Sequence, residues 1–243
     1  MSRFYVPPEN VKNDLIHITG SEAHHIKDVM RLKESDSVVV FDGTGKEYTG
    51  FIKETQPKKV IVEIVKTKAP IADKRAEITL AQAIPKKAKM DFIVEKATEL
   101  GASAIMPILT ERTVVRLDSD KSKARCLRWQ KVATAAAKQC GRQDIPEVAG
   151  LKKFYFALDK VPDYDMGLLA CLSEETETIR EAISRFEGGK IILFIGPEGD
   201  FTPDEITMAK NAKCRLITLG RLVLKSDTAA ISALSVLNHE LSR

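Results

Sequence analysis

The chain has 243 residues, 44% hydrophobic and 30% charged, the make-up of an ordinary globular protein with room for one large domain or two modest ones. No apolar run approaches the roughly 20 residues that cross a bilayer, and the opening MSRFYVPPEN lacks the apolar centre of a secretory signal, so the cytoplasm is the expected location. Cys126, Cys140, Cys171 and Cys214 form no CxxC clip and are too sparse for a disulfide framework, so reduced thiols and no metal site are expected.

The first 70 residues read as short strands. Residues 38–41 run into the turn signal Asp42-Gly43-Thr44-Gly45, residues 47–53 alternate in character, and 60–65 follow Gln56-Pro57. Short strands broken by Gly and Pro predict a small β-barrel or sandwich. Residues 21–31 are the exception, a short helix for which Ser21 is the candidate cap. Residues 68–73 read as a linker. The rhythm then becomes strand, helix, strand. Apolar strands are predicted at 78–84, 104–109, 166–172, 190–195 and 215–219, and helices at 90–100 (closed by Gly101), 121–141, 175–186, 203–212 and 227–241. Near-continuous apolar strands alternating with helices imply a parallel sheet covered on both faces.

Charge is unevenly spread. Residues 1–73 hold 11 basic and 11 acidic side chains, residues 74–153 hold 17 and 9, and residues 154–243 hold 10 and 14. A basic middle beside an acidic end suits a surface that meets a polyanion. Lys86, Lys87 and Lys89 follow one strand end and Arg112 and Arg116 another, while Lys138 and Arg142 are spaced i, i+4 along a predicted helix.

In an open α/β sheet, ligands bind at the carboxyl ends of strands. Two such ends stand out. Strand 190–195 delivers the chain into Gly196-Pro197-Glu198-Gly199-Asp200-Phe201. Thr202 is placed to cap a helix opening at Pro203, but a cap does not require Gly-Pro-Glu-Gly. Strand 215–219 runs into Gly220-Arg221-Leu222-Val223-Leu224-Lys225-Ser226-Asp227, in which three apolar residues in a loop need burial or a ligand, and Ser226 or Asp227 can cap the last helix. There is no GxGxxG after an early strand, no P-loop and no HExxH, so a dinucleotide oxidoreductase, a nucleoside triphosphatase and a zinc hydrolase lose support.

These segments, GPEGDF at 196–201 and LGRLVLKSDTAA at 219–230, resemble SPOUT-class methyltransferases, and specifically the RsmE family of 16S rRNA uridine N3-methyltransferases. The likeness extends to His24-His25 with Val29-Met30-Arg31-Leu32, to Phe41-Asp42-Gly43, to Lys87 with Glu95-Lys96-Ala97-Thr98-Glu99-Leu100-Gly101, to Glu111-Arg112-Thr113-Val114-Val115, and to Gln139-Cys140-Gly141-Arg142 before Ile145-Pro146-Glu147. The resemblance implies a PUA-like β-barrel that helps bind RNA at 1–72. It also implies an α/β SPOUT domain with a parallel sheet and a deep trefoil knot at 73–243, and a homodimer. Its substrates would be S-adenosylmethionine and small-subunit ribosomal RNA, with N3 of the uridine customarily numbered 1498 as target. By position, Leu172, Ile195, Gly196, Gly199, Leu219, Leu224 and Ala229 are the implied cofactor contacts.

Three residues depart from the family pattern: Asp200 replaces the second glycine of GPEGG, Lys225 an arginine and Asp227 a glutamate. A base is needed to take the N3 proton and a cation or N–H to meet the charge left on O2 and O4. Glu198 and Asp227 are the base candidates, Arg221 and Lys225 the charge partners. Arg31, Lys86, Lys87, Lys89, Arg112, Arg116, Lys138 and Arg142 are the candidate RNA contacts, and His24 and His25 either face RNA or pack. A related SPOUT enzyme with another target and a non-catalytic RNA-binding paralogue are the alternatives.

Overall fold

The computed structural model describes residues 3–70, 76–86, 89–115 and 118–241. The chain divides into two compact units, Met1–Asp73 with Ala137–Ile145, and Lys74–Ala136 with Pro146–Arg243.

In the first unit, β1 (Arg3–Tyr5), β2 (Val11–Lys12), β3 (Leu15–Thr19), β4 (Ser37–Phe41), β5 (Glu47–Gln56) and β6 (Lys59–Lys68) form a six-stranded sheet in the order β1-β4-β5-β6-β3-β2. Alternation does the sorting: Ile16 and Ile18, Val38 and Val40, and Val60 and Val62 are fully buried on one face with Phe4 and Ile52. A short helix, α1 (Gly20–His24), passes into a π-helical turn at His25–Val29. Ser21 lies inside α1 and does not cap it; Thr19 holds the N-cap position, with no side-chain cap bond. His25 packs its ring edge-on to Phe4, while His24 is exposed and pairs with Asp28.

The Phe-Asp-Gly turn is a folding device. Buried Asp42 accepts hydrogen bonds from the Thr44 amide (2.9 Å), the Thr44 hydroxyl (2.7 Å) and the Tyr48 hydroxyl (3.0 Å). Burial, then the Asp42 hydrogen bond and charge, push the Tyr48 phenol up to about 12. Segment 137–145 docks on this turn: the Ile145 amide donates to the Gly43 carbonyl and the Gly45 amide to that of Gln143.

The second unit is built on eight parallel strands. β7 (Glu77–Ala83), β8 (Ala104–Leu109), β9 (Glu147–Val148), β10 (Lys152–Lys153), β11 (Met166–Ala170), β12 (Glu177–Thr178), β13 (Lys190–Ile195) and β14 (Arg215–Thr218) run in the order β10-β8-β7-β13-β11-β14-β12, with β9 beside β8. Both faces are covered. Ile191, Leu193 and Ile195 of β13 enter one apolar cluster with residues of α2 (Lys89–Glu99), α3 (Ser119–Cys140), α5 (Ile179–Ala182) and α7 (Ser226–Leu241). Ile192 and Phe194 enter another with residues of α4 (Phe154–Leu158) and α6 (Pro203–Asn211). That two-sided burial explains why these strands read as continuous apolar runs.

Helix ends follow local chemistry. Gly101 (φ +85°) closes α2, its amide donating to the Thr98 carbonyl and the Ala102 amide to that of Ala97, a paired C-terminal lock. Thr202 caps α6 in a capping box with Glu205. The helix predicted over 175–186 is mostly absent. Glu177 and Thr178 pair with β14 as an edge strand, and a Thr178–Glu181 capping box starts only the short α5. The last helix does begin at Ser226, but the Ser226 hydroxyl is bound elsewhere.

Gly50 sits at a register shift in β5, where an added Cβ would stand 2.2 Å from the Glu63 carbonyl oxygen. Gly50→Ala must push β5 and β6 apart. A loss of roughly 1–3 kcal/mol is expected from such overpacking. Amide hydrogen exchange checks it: protection should fall in β5 and β6 and persist in the parallel sheet.

Candidate functional site

The carboxyl ends of β11, β13 and β14 open on one cleft. Its walls are Ala170 to Leu172 after β11, Ile195 to Glu198 with Asp200 after β13, Thr218 to Gly220 and Leu222 to Leu224 after β14, and Ser226 and Ala229 of α7. Six of the seven expected cofactor contacts line it: Leu172, Ile195, Gly196, Leu219, Leu224 and Ala229. Gly199 does not. A Cβ there would meet the Arg112 side chain at 3.3 Å, so this glycine leaves room for the arginine. At Gly196 a Cβ would press on the Phe201 ring at 3.2 Å, so its smallness serves the fold of the loop.

Two sets of bonds hold the loops. Buried Ser226 donates its hydroxyl to the Gly196 carbonyl (2.6 Å) and accepts from Gln82 Nε2 (2.9 Å), which also donates to the Ala83 carbonyl. The ends of β7 and β13 and the start of α7 are thereby tied at one atom. From the other side, Arg112 donates to the carbonyls of Gly199 and Phe201, and buried Glu205 accepts from the amides of Glu111 (2.8 Å) and Thr202 (2.9 Å). The apolar lining is unusually open: Leu172, Leu222 and Val223 are 64%, 78% and 75% exposed. Such side chains facing a cleft suit a partly apolar, flat occupant.

The cleft fits the expected cofactor on these grounds: an apolar rim for an aromatic base, backbone edges for its polar atoms, and two carboxylates, Glu198 and Asp200, for its cationic end. Asp200 adopts φ +58°, a conformation open to glycine and tolerated by aspartate, so this departure from GPEGG keeps the backbone shape. Asp200 Oδ2 accepts the Leu172 amide at 2.8 Å.

Of the four candidate catalytic residues, Glu198 alone lines the cleft; its Oε1 accepts the backbone amide of Lys86 at 2.9 Å. Arg221 and Lys225 are exposed beside it in sequence. Asp227 points to Lys89 (3.0 Å). Burial raises its carboxyl, but the Lys89 hydrogen bond, nearby backbone amides and the Lys89 charge outweigh burial and hold it below the ordinary value. A base so stabilised as the anion is weak, which favours Glu198.

Several expected RNA contacts have internal partners. Lys89 serves Asp227 and Arg112 props the 199–201 carbonyls. Lys138 pairs with Glu22 at 2.6 Å, both side chains about one-fifth exposed. Arg142 is not on the face of a helix with Lys138: α3 ends at Cys140, Gly141 turns at φ +83°, and Arg142 pairs with Asp144. Arg31 (φ +54°) and Lys86 are exposed. Lys87 and Arg116 lie outside the described residues. Sequence reading missed Gln82, Ser226 as a loop tie, and Asp200 as part of the cleft wall; Asp200 had announced itself as a departure at a glycine position.

A family model described as an RNA methyltransferase domain matches residues 72–238, and one described as an RNA methyltransferase PUA domain matches residues 18–65. Fold and cleft thus define an α/β RNA methyltransferase with a PUA domain at its N-terminus. The ribosomal RNA small subunit methyltransferase E of Bacillus subtilis is 30% identical over 92% of this chain and 89% of its own, and that of Synechocystis 30% over 97% and 77%. The Neisseria gonorrhoeae enzyme of that name, solved with S-adenosyl methionine, superposes with a TM-score of 0.87 at 29% identity, covering 99% of this chain and 98% of its own. A methyltransferase of Legionella pneumophila solved with the same cofactor gives 0.86 at 30%, covering 98% and 97%. The chain belongs to the ribosomal RNA small subunit methyltransferase E family.

Two variants test the ties. Ser226→Ala leaves the Gly196 carbonyl without its buried donor and Gln82 Nε2 with one of its two acceptors, and should destabilise the second unit by roughly 1–3 kcal/mol in urea unfolding. Lys89→Met removes the principal group lowering Asp227, so a carboxyl NMR titration should show the Asp227 pKa rise. The sign for stability follows: a depressed carboxyl stabilises the fold above its unfolded pKa, and the contribution is lost as pH falls through the folded value. Lys89→Met should therefore weaken the protein at neutral pH and flatten its acid limb.

Proposed function

We propose that the protein transfers a methyl group from S-adenosylmethionine to N3 of a uridine in 16S rRNA, the one customarily numbered 1498. The observation that carries this is the cleft itself, formed by the GPEG and LGRLVLKSD loops at the carboxyl edge of the sheet in a chain of this family. When bound, S-adenosylmethionine supplies an electrophilic methyl group on its sulfonium. The protein's task is to align the uracil nitrogen in line with that group and to control its proton.

Glu198 is the proposed general base. It lines the cleft, and one oxygen is held by the Lys86 amide, leaving the other for N3–H. Deprotonation spreads negative charge over O2 and O4, and Lys225 and Arg221, on the loop between β14 and α7, are the proposed partners for it. The cofactor is assigned to Leu172, Ile195, Gly196, Leu219, Leu224 and Ala229. For phosphate contact we retain the exposed Arg31 and Lys86, with Lys87 and Arg116, because each belongs to or flanks a family-like motif of the sequence.

The reading includes a division into a PUA-like RNA-binding domain over 1–72 and a SPOUT domain over 73–243, working as a cytoplasmic homodimer. The apolar character of α7, with Val236 39% exposed, supports a partner surface, and no helix among the described residues is long and apolar enough to cross a membrane. It also includes the trefoil knot, for which the support is the course of the chain: β14 returns between β11 and β12, strands already laid down.

Mass spectrometry of 16S rRNA tests the target: deletion of the gene should remove one methyl group from that uridine, and a persisting mark overturns the assignment. Glu198→Gln should lower single-turnover methyl transfer at saturating cofactor roughly 100-fold or more, while Asp227→Asn should do far less. The reverse order would make Asp227 the base. Lys225→Ala should also slow the saturated step, and a full rate there would confine Lys225 to RNA binding.

A further inference from the structure

Asp200 is a carboxylate in a place that backbone geometry leaves to glycine or a short polar residue, and it does more there than adopt the required φ of +58°. Its Oδ2 reaches across the cleft to the amide of Leu172, the first residue beyond the hydrogen-bonded end of the Cys171 region after β11. Its Oδ1 has no protein hydrogen bond among the described residues. The hydroxyls in the cleft wall are engaged: Ser226 by Gly196 and Gln82, Thr218 by Gly220. Asp200 and Glu198 are the charged side chains of the lining, and both are anionic. The Asp200 charge is felt locally, since burial first and then that charge push the Cys171 thiol up to about 11.

We propose that Asp200 is a cofactor-recognition residue of this chain, its free carboxylate oxygen accepting a hydrogen bond from the ammonium of the amino-acid tail while its other oxygen clamps Leu172. The ammonium is the match on chemical grounds. It carries three donors and a full charge, a charge-assisted bond is the strong kind, and the sulfonium has no hydrogen to give. Glu198, its partner in charge, is reserved by the Lys86 amide and by the proton it takes. This rests on the cofactor reading of the cleft.

Calorimetry with two ligands tests it. S-adenosylhomocysteine has the ammonium; 5′-methylthioadenosine lacks the amino-acid tail. Asp200→Asn keeps a carbonyl oxygen for the Leu172 amide and removes the charge. It should weaken S-adenosylhomocysteine about tenfold or more and leave methylthioadenosine within about twofold. Asp200→Gly, which also drops the clamp, should weaken both. Equal loss of the two ligands in Asp200→Asn, or no loss of either, overturns the proposal and leaves Asp200 a loop residue. If the wild-type protein binds neither ligand, the cofactor reading falls and this assignment with it. A wild type that binds the homocysteine ligand and an Asp200→Asn variant that matches it fell Asp200 alone.

Discussion

A single hydroxyl joins the parts of the cleft. Ser226 opens the last helix, yet its Oγ lies between the carbonyl of Gly196 and the amide of Gln82, 144 residues away in sequence. All three groups are buried, so each depends on the others for a hydrogen bond that water cannot replace. The consequence is geometric. The loop after β13, the end of β7 and the start of α7 cannot move independently, and the apolar residues Leu222 to Leu224 are held out from the body of the fold. Arg112 and Glu205 brace the far side of the same loop. A binding surface carried on loops needs such bracing, because groups on a loop bind with precision only where the chain is held in place.

Electrostatics complete that bracing. The excess of basic residues over 74–153 reads as a surface for a polyanion, but four of its candidate RNA contacts are engaged within the protein. Lys89 neutralises Asp227, Arg112 caps carbonyls, Lys138 and Arg142 answer Glu22 and Asp144. The two last pairs belong to the unit that also contains the Phe-Asp-Gly turn, where Gly43 and Gly45 bond to Ile145 and Gln143. Two motifs a hundred residues apart therefore share one structural purpose. Of the candidate RNA contacts, Arg31 and Lys86 are the ones among the described residues that stay exposed without such an internal partner.

The departures from the family pattern are unequal. Asp200 preserves a left-handed backbone position and adds a carboxylate to the cleft wall. Asp227, shorter than glutamate by one carbon, is met by Lys89 and kept ionised. Lys225 remains exposed, a point charge where the pattern has a planar fork. The first alters the wall of the site, the second its internal charge balance, the third its outer rim.

Period and punctuation in the sequence determined the architecture. Alternation at 47–53 and 60–65, with Gly and Pro turns between, announced short β-strands, continuous apolar runs at 78–84 and 190–195 announced a sheet covered on both faces, and Gly101 and Thr202 marked helix ends, because each signal acts through neighbours in the chain. The two loops of the cleft were legible too, since glycine and exposed apolar residues after a strand have few local explanations. Tertiary structure decided the rest. Whether residues 175–186 form a helix depended on β14 offering an edge to Glu177 and Thr178. That Gly199 lies against Arg112 depended on where β8 ends. Whether Ser226 caps a helix or ties a loop, and whether Lys138 is a surface charge or an anchor, depended on partners more than 100 residues removed or across a sheet. Such partners leave no periodic trace, because a side chain's hydrogen bond is set by what the fold places within 3 Å of it and not by its position in the sequence.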